Sequence, residues 1–213
     1  MTGDIKTLAG AKLADRTGGE TLTLSLECSP ADLDDARAVR EEVYHARLGL
    51  RPSAWDGEET RDDQGLVPVL RSNGRAVATA RLLSAASPDV ELRQLGLLPD
   101  WALHHRGLVE VARVAAVPRP GAIPYGVLLF ALGVPWLLQH TTTRWYIGAV
   151  RLNVAPLYVS FGGATIGSPF RIPERGTAEY VLVHGPFSRM AQLASRAAAV
   201  AAEIHERHVV AQL

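Results

Sequence analysis

Few side chains in this sequence could do chemistry, and most of them are carboxylates or guanidinium groups. Glu110 interrupts the apolar run from Leu108 to Val117, which is otherwise broken only by Arg113. A run of that composition is a buried strand, and a buried carboxylate is either paired or used as a proton acceptor. Arg81 and Arg113 are the candidate partners. Arg40 and Arg47 are also out of place. They fall at helical spacing with Leu33, Ala36 and Val43, on the stripe that should face a core. A charge there must be paired or must line a cleft. Glu59, Asp62 and Asp63 supply matching carboxylates, either as ion pairs at a sheet edge or as a network that holds their segment over a cleft. Other candidates are weaker. His104-His105 has no third ligand at a metal spacing, and His205 and His208 fit a solvated helix face. Cys28 is alone, which excludes an intrachain disulfide and a cysteine-based zinc site. No nucleophile elbow or Walker loop supports a hydrolase or a kinase.

These groups need elements to hold them. Residues 1–20 show no period and read as a loose tail. Thr21 to Cys28 alternates as a half-buried strand. Ser29-Pro30 then opens a helix that runs to about Leu48. Residues 49–65 read as a long polar loop. Asn73-Gly74 joins two strand-like runs as a hairpin, with Ala76, Ala78 and Ala80 in a row on one face of the second. Residues 84–107 connect to the strand carrying Glu110. A buried helix follows from about Tyr125 to His140, then a strand over Trp145 to Val150 and a short helix over Asn153 to Phe161. Two closing strands span Ala164 to Ile172 and Thr177 to His184. A last helix carries Met190, Leu193, Ala197, Val200, Ile204 and His208 on one stripe. The expected organisation is a tail over 1–20, one mixed α/β domain over 21–186, and a C-terminal helix over 187–213.

Composition narrows the class further. The chain has 213 residues, with Lys+Arg and Asp+Glu both 22, so no basic excess points to nucleic acid. Hydrophobic residues make up 47%, enough for a real core and too many for a disordered chain. The longest apolar run, Val127 to Leu138, is broken by Gly133 and Pro135 and is shorter than the roughly 20 residues of a membrane span. The first residues contain no apolar stretch of the secretory type. A reduced, cytoplasmic protein is expected.

Two stretches carry a resemblance. Asn153-Val154-Ala155-Pro156-Leu157-Tyr158, ending at Gly162-Gly163, resembles the strand-helix-turn near the end of the GNAT superfamily of N-acyltransferases. Arg40-Glu41-Glu42-Val43-Tyr44-His45-Ala46-Arg47-Leu48-Gly49 is similar to the opening of acyl-homoserine-lactone synthases. Glu59-Thr60-Arg61-Asp62, Arg81-Leu82-Leu83 with Pro88, and Glu110-Val111-Ala112-Arg113 echo their later motifs in order. The related N-acyl amino acid synthases share this plan. The resemblance implies a GNAT-like, mainly antiparallel sheet flanked by helices.

The resemblance also implies a chemistry. An acyl chain would move from a thioester to a primary amine with no permanently bound cofactor. Glu110 would take the amine's proton, and Tyr158 would meet the sulfur of the departing thiolate. A bulge in the Glu110 strand would offer a backbone N–H from Val114, Ala115 or Ala116 to the oxyanion. Arg40, Glu59, Asp62, Arg81, Arg113 and Asn153 would shape the substrate site, and Ala76, Ala78 and Ala80 would border the acyl slot. Leu50, Glu59 and Ala112 depart from the lactone-synthase pattern, which favours an amino acid or its derivative as acceptor. The loop Arg119-Pro120-Gly121-Ala122-Ile123-Pro124 departs from the GNAT pyrophosphate loop, because proline removes phosphate-cradling donors. That favours acyl-carrier protein over coenzyme A as donor. A lactone synthase and a non-catalytic thioester-binding module are the alternatives.

Overall fold

A computed structural model of the chain describes residues 13–17, 20–26, 29–50, 58–194 and 196. Its strands are β1 (Leu13–Thr17), β2 (Glu20–Ser25), β3 (Val69–Ser72), β4 (Arg75–Ser84), β5 (Leu108–Ala116), β6 (Trp145–Arg151), β7 (Ala164–Arg171) and β8 (Glu179–Pro186). Its helices are α1 (Pro30–Arg40), α2 (Glu58–Gln64), α3 (Glu91–Gln94), α4 (Asp100–His104), α5 (Tyr125–His140) and α6 (Ala155–Ser160), with a further helix over 187–194. The strands form one eight-stranded sheet in the order β1-β2-β3-β4-β5-β6-β8-β7. Every neighbouring pair is antiparallel except β5 and β6.

Four sequence expectations are corrected here. Leu13–Thr17 is no tail: it pairs antiparallel with β2 as an edge strand. Its sequence, LADRT, offers no alternation to read. The first helix keeps α geometry only to Arg40, and Glu41–Arg47 is a wider π turn. That turn closes with the Leu50 N–H on the Tyr44 carbonyl at 2.9 Å, beside Gly49 at φ +64°. The polar stretch 49–65 holds α2, while 51–57 lie outside the described residues. Finally, the alanines of β4 do not share a face. Leu70 pairs with Ala78 and Arg71 with Ala76, so Val77 is an extra residue that reverses the alternation. Ala76 therefore packs with Leu33, Ala36, Val67 and Val69 beneath α1, while Ala78 and Ala80 face α5.

Elsewhere the elements fall as expected. Ser29 caps α1 by accepting the Asp32 N–H at 3.2 Å, and Asn73 and Gly74 both take positive φ in the hairpin turn. The helix over 187–194 buries Phe187, Met190 and Ala194 and half-buries Leu193, and the expected stripe from Ala197 onward lies outside the described residues.

The sheet has two dissimilar faces. Helix α5 covers one, over Leu24, Ala78, Ala80, Val109, Val111 and Tyr146. Helices α1, α3 and α4 cover the other, with Leu92 of α3 packed among Leu83, Leu108 and Ile147 of the strands. β5 and β6 pair only from Leu108–Trp145 to Glu110–Ile147. Gly148 permits the last close approach: a Cβ there would meet the Val111 carbonyl oxygen at 2.5 Å. Beyond it β5 stays with β4 to Ala116, β6 stays with β8 to Arg151, and the two halves part. The parting leaves backbone edges of β5 and β6 that no longer pair with each other, the setting in which an extended ligand can pair with a sheet.

Candidate active site

The face opposite α5 buries a network of charges beside the parting strands. Arg40 of α1 donates to Asp62 of α2 at 2.6 Å, and Arg81 of β4 stands 3.7 Å from the other oxygen of Asp62. Asp62 and Arg81 are fully buried. Asp63 is exposed, and the side chain of Glu59 lies outside the described residues. Glu91, at the start of α3, receives Arg113 at 2.9 Å and Arg175 more closely, with Arg81 at 4.0 Å. Arg175 belongs to the short 3-10 turn between β7 and β8, so Glu91 ties the β5 arm to the β7–β8 connection across the parting. Burial pushes the Glu91 carboxyl up, but the guanidinium groups of Arg113, Arg175 and Arg81 outweigh it and hold it at about 2.

Glu110 forms neither of its expected ion pairs. Its carboxylate accepts the backbone N–H of Glu91 at 3.0 Å and of Leu92 at 2.8 Å, fastening α3 to the sheet. Burial raises its pKa, and the nearby Glu91 charge adds to this against the pull of the two N–H groups. A carboxyl raised in this way is better matched to proton exchange near neutral pH than an ordinary glutamate.

The bulge expected in β5 is present. Thr79 pairs with Ala115 and Arg81 with Ala112, so β5 spends three residues where β4 spends two. Arg113 takes φ +53°, a left-handed step that costs a non-glycine residue on the order of 1–2 kcal/mol. The extra residue brings Arg113 to the side of Glu110 and Glu91. Past the bulge the Val117 N–H bonds the Val77 carbonyl at 2.8 Å. By alternation Ala115 also points its N–H toward β4, and Ala116 points its N–H into the parting. Of the three expected oxyanion donors, Ala115 is therefore engaged in the sheet. The Val114 carbonyl accepts the Tyr44 hydroxyl at 2.8 Å.

Tyr158 of α6 is buried on the α5 face, edge-on to Phe130 at 6.2 Å and tilted against Tyr146 at 6.2 Å. Burial, with Tyr44 and Tyr146 as neighbours, pushes its hydroxyl well above the usual tyrosine value, so it keeps its proton at neutral pH. Asn153 is exposed in the turn before α6, where it lines a surface groove with Arg151 and Arg171. On the same side of the sheet an apolar cavity of about 30 Å³ lies between Ala80, Leu82 and Val111 of the strands and Leu129, Gly133 and Val134 of α5. Gly126 seats the start of α5 against Ala116. The loop before α5 is held by Arg119, which bonds Glu20 of β2 and the Ile123 carbonyl.

Three residues escape sequence reasoning. Glu91 and Arg175 sit in connections with no period, and Glu91 comes just after the ordinary turn residues Ser87-Pro88-Asp89. Tyr44 lies inside a recognised motif, but only the π turn shows where its hydroxyl goes. Among the described residues, no three His, Cys, Asp or Glu side chains gather as a metal site, and no helix is long and apolar enough to cross a membrane.

No protein-family model and no curated protein matches the sequence. Solved structures do match. FeeM, an N-acyl amino acid synthase from uncultured soil microbes, is 16% identical, with a TM-score of 0.59 over 88% of this chain and 96% of its own. The acyl-homoserine-lactone synthase LasI is 14% identical, with a TM-score of 0.58 over 87% and 95%. BjaI, a CoA-dependent acyl-homoserine lactone synthase, is 16% identical, with a TM-score of 0.59 over 79% and 83%. At such identities the likeness is one of architecture, and this chain has the GNAT-like fold that these N-acyl amino acid and acyl-homoserine-lactone synthases share.

Proposed function

We propose that the protein is an N-acyltransferase that moves an acyl chain from a carrier thioester to a primary amine of an amino acid or a derivative. The observation that carries this reading is the parting of β5 and β6 beside a bulged strand, with charges on one side and an apolar cavity on the other. A thioester lying in the parting would extend its acyl chain toward α5 and meet an amine from the charged face. The amine nitrogen attacks the thioester carbonyl carbon, and the developing oxyanion is met by the Ala116 N–H. Glu110, ionised, takes the amine proton directly or through one water. The C–S bond breaks, and Tyr158 gives its proton to the leaving thiolate. Both residues then exchange protons with solvent and return to their starting forms. Arg40, Asp62, Arg81 and Arg113 hold the acceptor side in shape, and Asn153 borders the entrance.

The proline-containing loop before α5 and its Arg119–Glu20 clasp favour an acyl-carrier protein, whose arm brings one phosphate, over coenzyme A. Donors of this kind place the reaction in the cytoplasm. The test is thiol release from acyl-carrier protein and acyl-CoA of several chain lengths with a panel of amino acids, and product mass by spectrometry. Amine-dependent thiol release with an N-acyl product supports the reading. Donor binding without release for any amine overturns it in favour of a thioester-binding module.

A further inference from the structure

We infer that Tyr44 is a positioning residue for acyl transfer, acting through the β5 bulge. This rests on the acyltransferase reading above. Tyr44 sits on the π turn Glu41–Arg47, a widened helical segment of the kind that often marks functional sites. The chain closes that turn six residues on, with the Leu50 N–H on the Tyr44 carbonyl. The phenol thus leaves the π turn and reaches a strand 70 residues on in sequence, where it donates to the Val114 carbonyl at 2.8 Å.

Val114 is one of the two residues that face Ala80 across the bulge, directly after the left-handed step at Arg113. That step is costly for arginine and persists only if its surroundings enforce it. The Tyr44 hydrogen bond fixes the peptide on the far side of the step. It therefore sets two things together: Arg113 turned toward Glu91, and the Ala116 N–H turned into the parting. Tyr44 also neighbours Tyr158, but its own hydroxyl hydrogen goes to the Val114 carbonyl and not to the leaving thiol. It holds the frame that presents the oxyanion donor.

The test is Tyr44→Phe, which removes one oxygen and keeps the ring. The expected result is a fall in kcat of about tenfold, the size of one lost hydrogen bond, with KM for the donor little changed. The fall should be the same for donors with good and poor leaving thiols, because the oxyanion forms before the thiol departs. For Tyr158→Phe the fall should grow as the thiol becomes a poorer leaving group. Backbone amide resonances of residues 113–116 should shift in the Tyr44 variant while the melting temperature stays close to that of the wild type. Normal kcat, a loss carried by KM alone, or unmoved amide resonances would overturn the inference. A wild-type protein inert with every donor would instead overturn the acyltransferase reading, which separates the two failures.

Discussion

β4 and β5 present opposite chemistry on their two faces from residues only one position apart. Ala80 and Leu82 face α5 and line an apolar cavity, while Arg81 between them is fully buried among carboxylates on the other face. Val111 belongs to the α5 face and Glu110 to the charged one. Removing a single partner from a buried ion pair strands a charge and costs about 3–5 kcal/mol. Small residues over a void leave room that a ligand can take. The sheet thus separates buried, paired charges on one side from apolar packing around a cavity on the other. The parting of β5 and β6 is the place where the two sides meet.

The charged side should give the largest effects. Glu110→Gln keeps the shape of the side chain and removes the proposed proton acceptor. Steady-state rates should fall by ~10²–10⁴, and the acid limb of the pH–rate profile, which Glu110 places above the ordinary carboxyl range, should vanish. A Gln variant with normal turnover and an unchanged profile would leave Glu110 as the clasp of α3 alone. Asp62→Asn should lower unfolding free energy by about 3–5 kcal/mol, because Arg40 and Arg81 then share one neutral amide. Urea unfolding measures this, and a change under ~1 kcal/mol would mean the pair is not integral to the fold.

The apolar side should respond differently. Ala80→Leu fills the cavity, and overpacking costs about 1–3 kcal/mol. If the cavity belongs to the acyl slot, the variant should prefer shorter chains in a competition among donors of mixed length. Lost stability with an unchanged chain preference would assign the alanines to the close packing of α5 instead.

The smallest effect concerns acid stability. Glu91 is held at about 2 in the folded protein against an ordinary 4.5, so the unfolded chain binds its proton first as pH falls. Its contribution is complete above about 4.5 and fades as pH drops toward about 2. Glu110 runs the other way. Its raised pKa favours the folded state at acid pH, and that contribution fades as pH rises through the raised value. Glu91→Gln should flatten the acid loss between pH 4.5 and 2 in unfolding curves, and Glu110→Gln should not.

Much of this arrangement is legible in the sequence where periodicity is regular. The bounds of α5, the Asn73-Gly74 turn and the oddity of Glu110 on an apolar strand all follow from spacing and chemistry. The bulge at Val77 does not, because alternation presumes a regular strand, and the one at Arg113 is expected only from the resemblance. One extra residue moves Ala76 to the wrong face, and another brings Arg113 to the right one. Glu91 and Arg175 meet only because the fold brings two connections together, 84 residues apart in sequence. The N–H groups that occupy Glu110 come from a helix of four residues, too short to leave a periodic signal.

By the proposed reading, β4 and β5 divide the two substrates between their faces. A crystal structure with a stable acyl-pantetheine thioether in place of the thioester tests it most directly. The expected result is the sulfur in the parting between β5 and β6, the acyl chain running toward Ala80 and α5, and the face of Glu110 and Arg113 left for the amine. An acyl chain lying among Arg81, Glu91 and Arg113, or bound outside the parting, would contradict it.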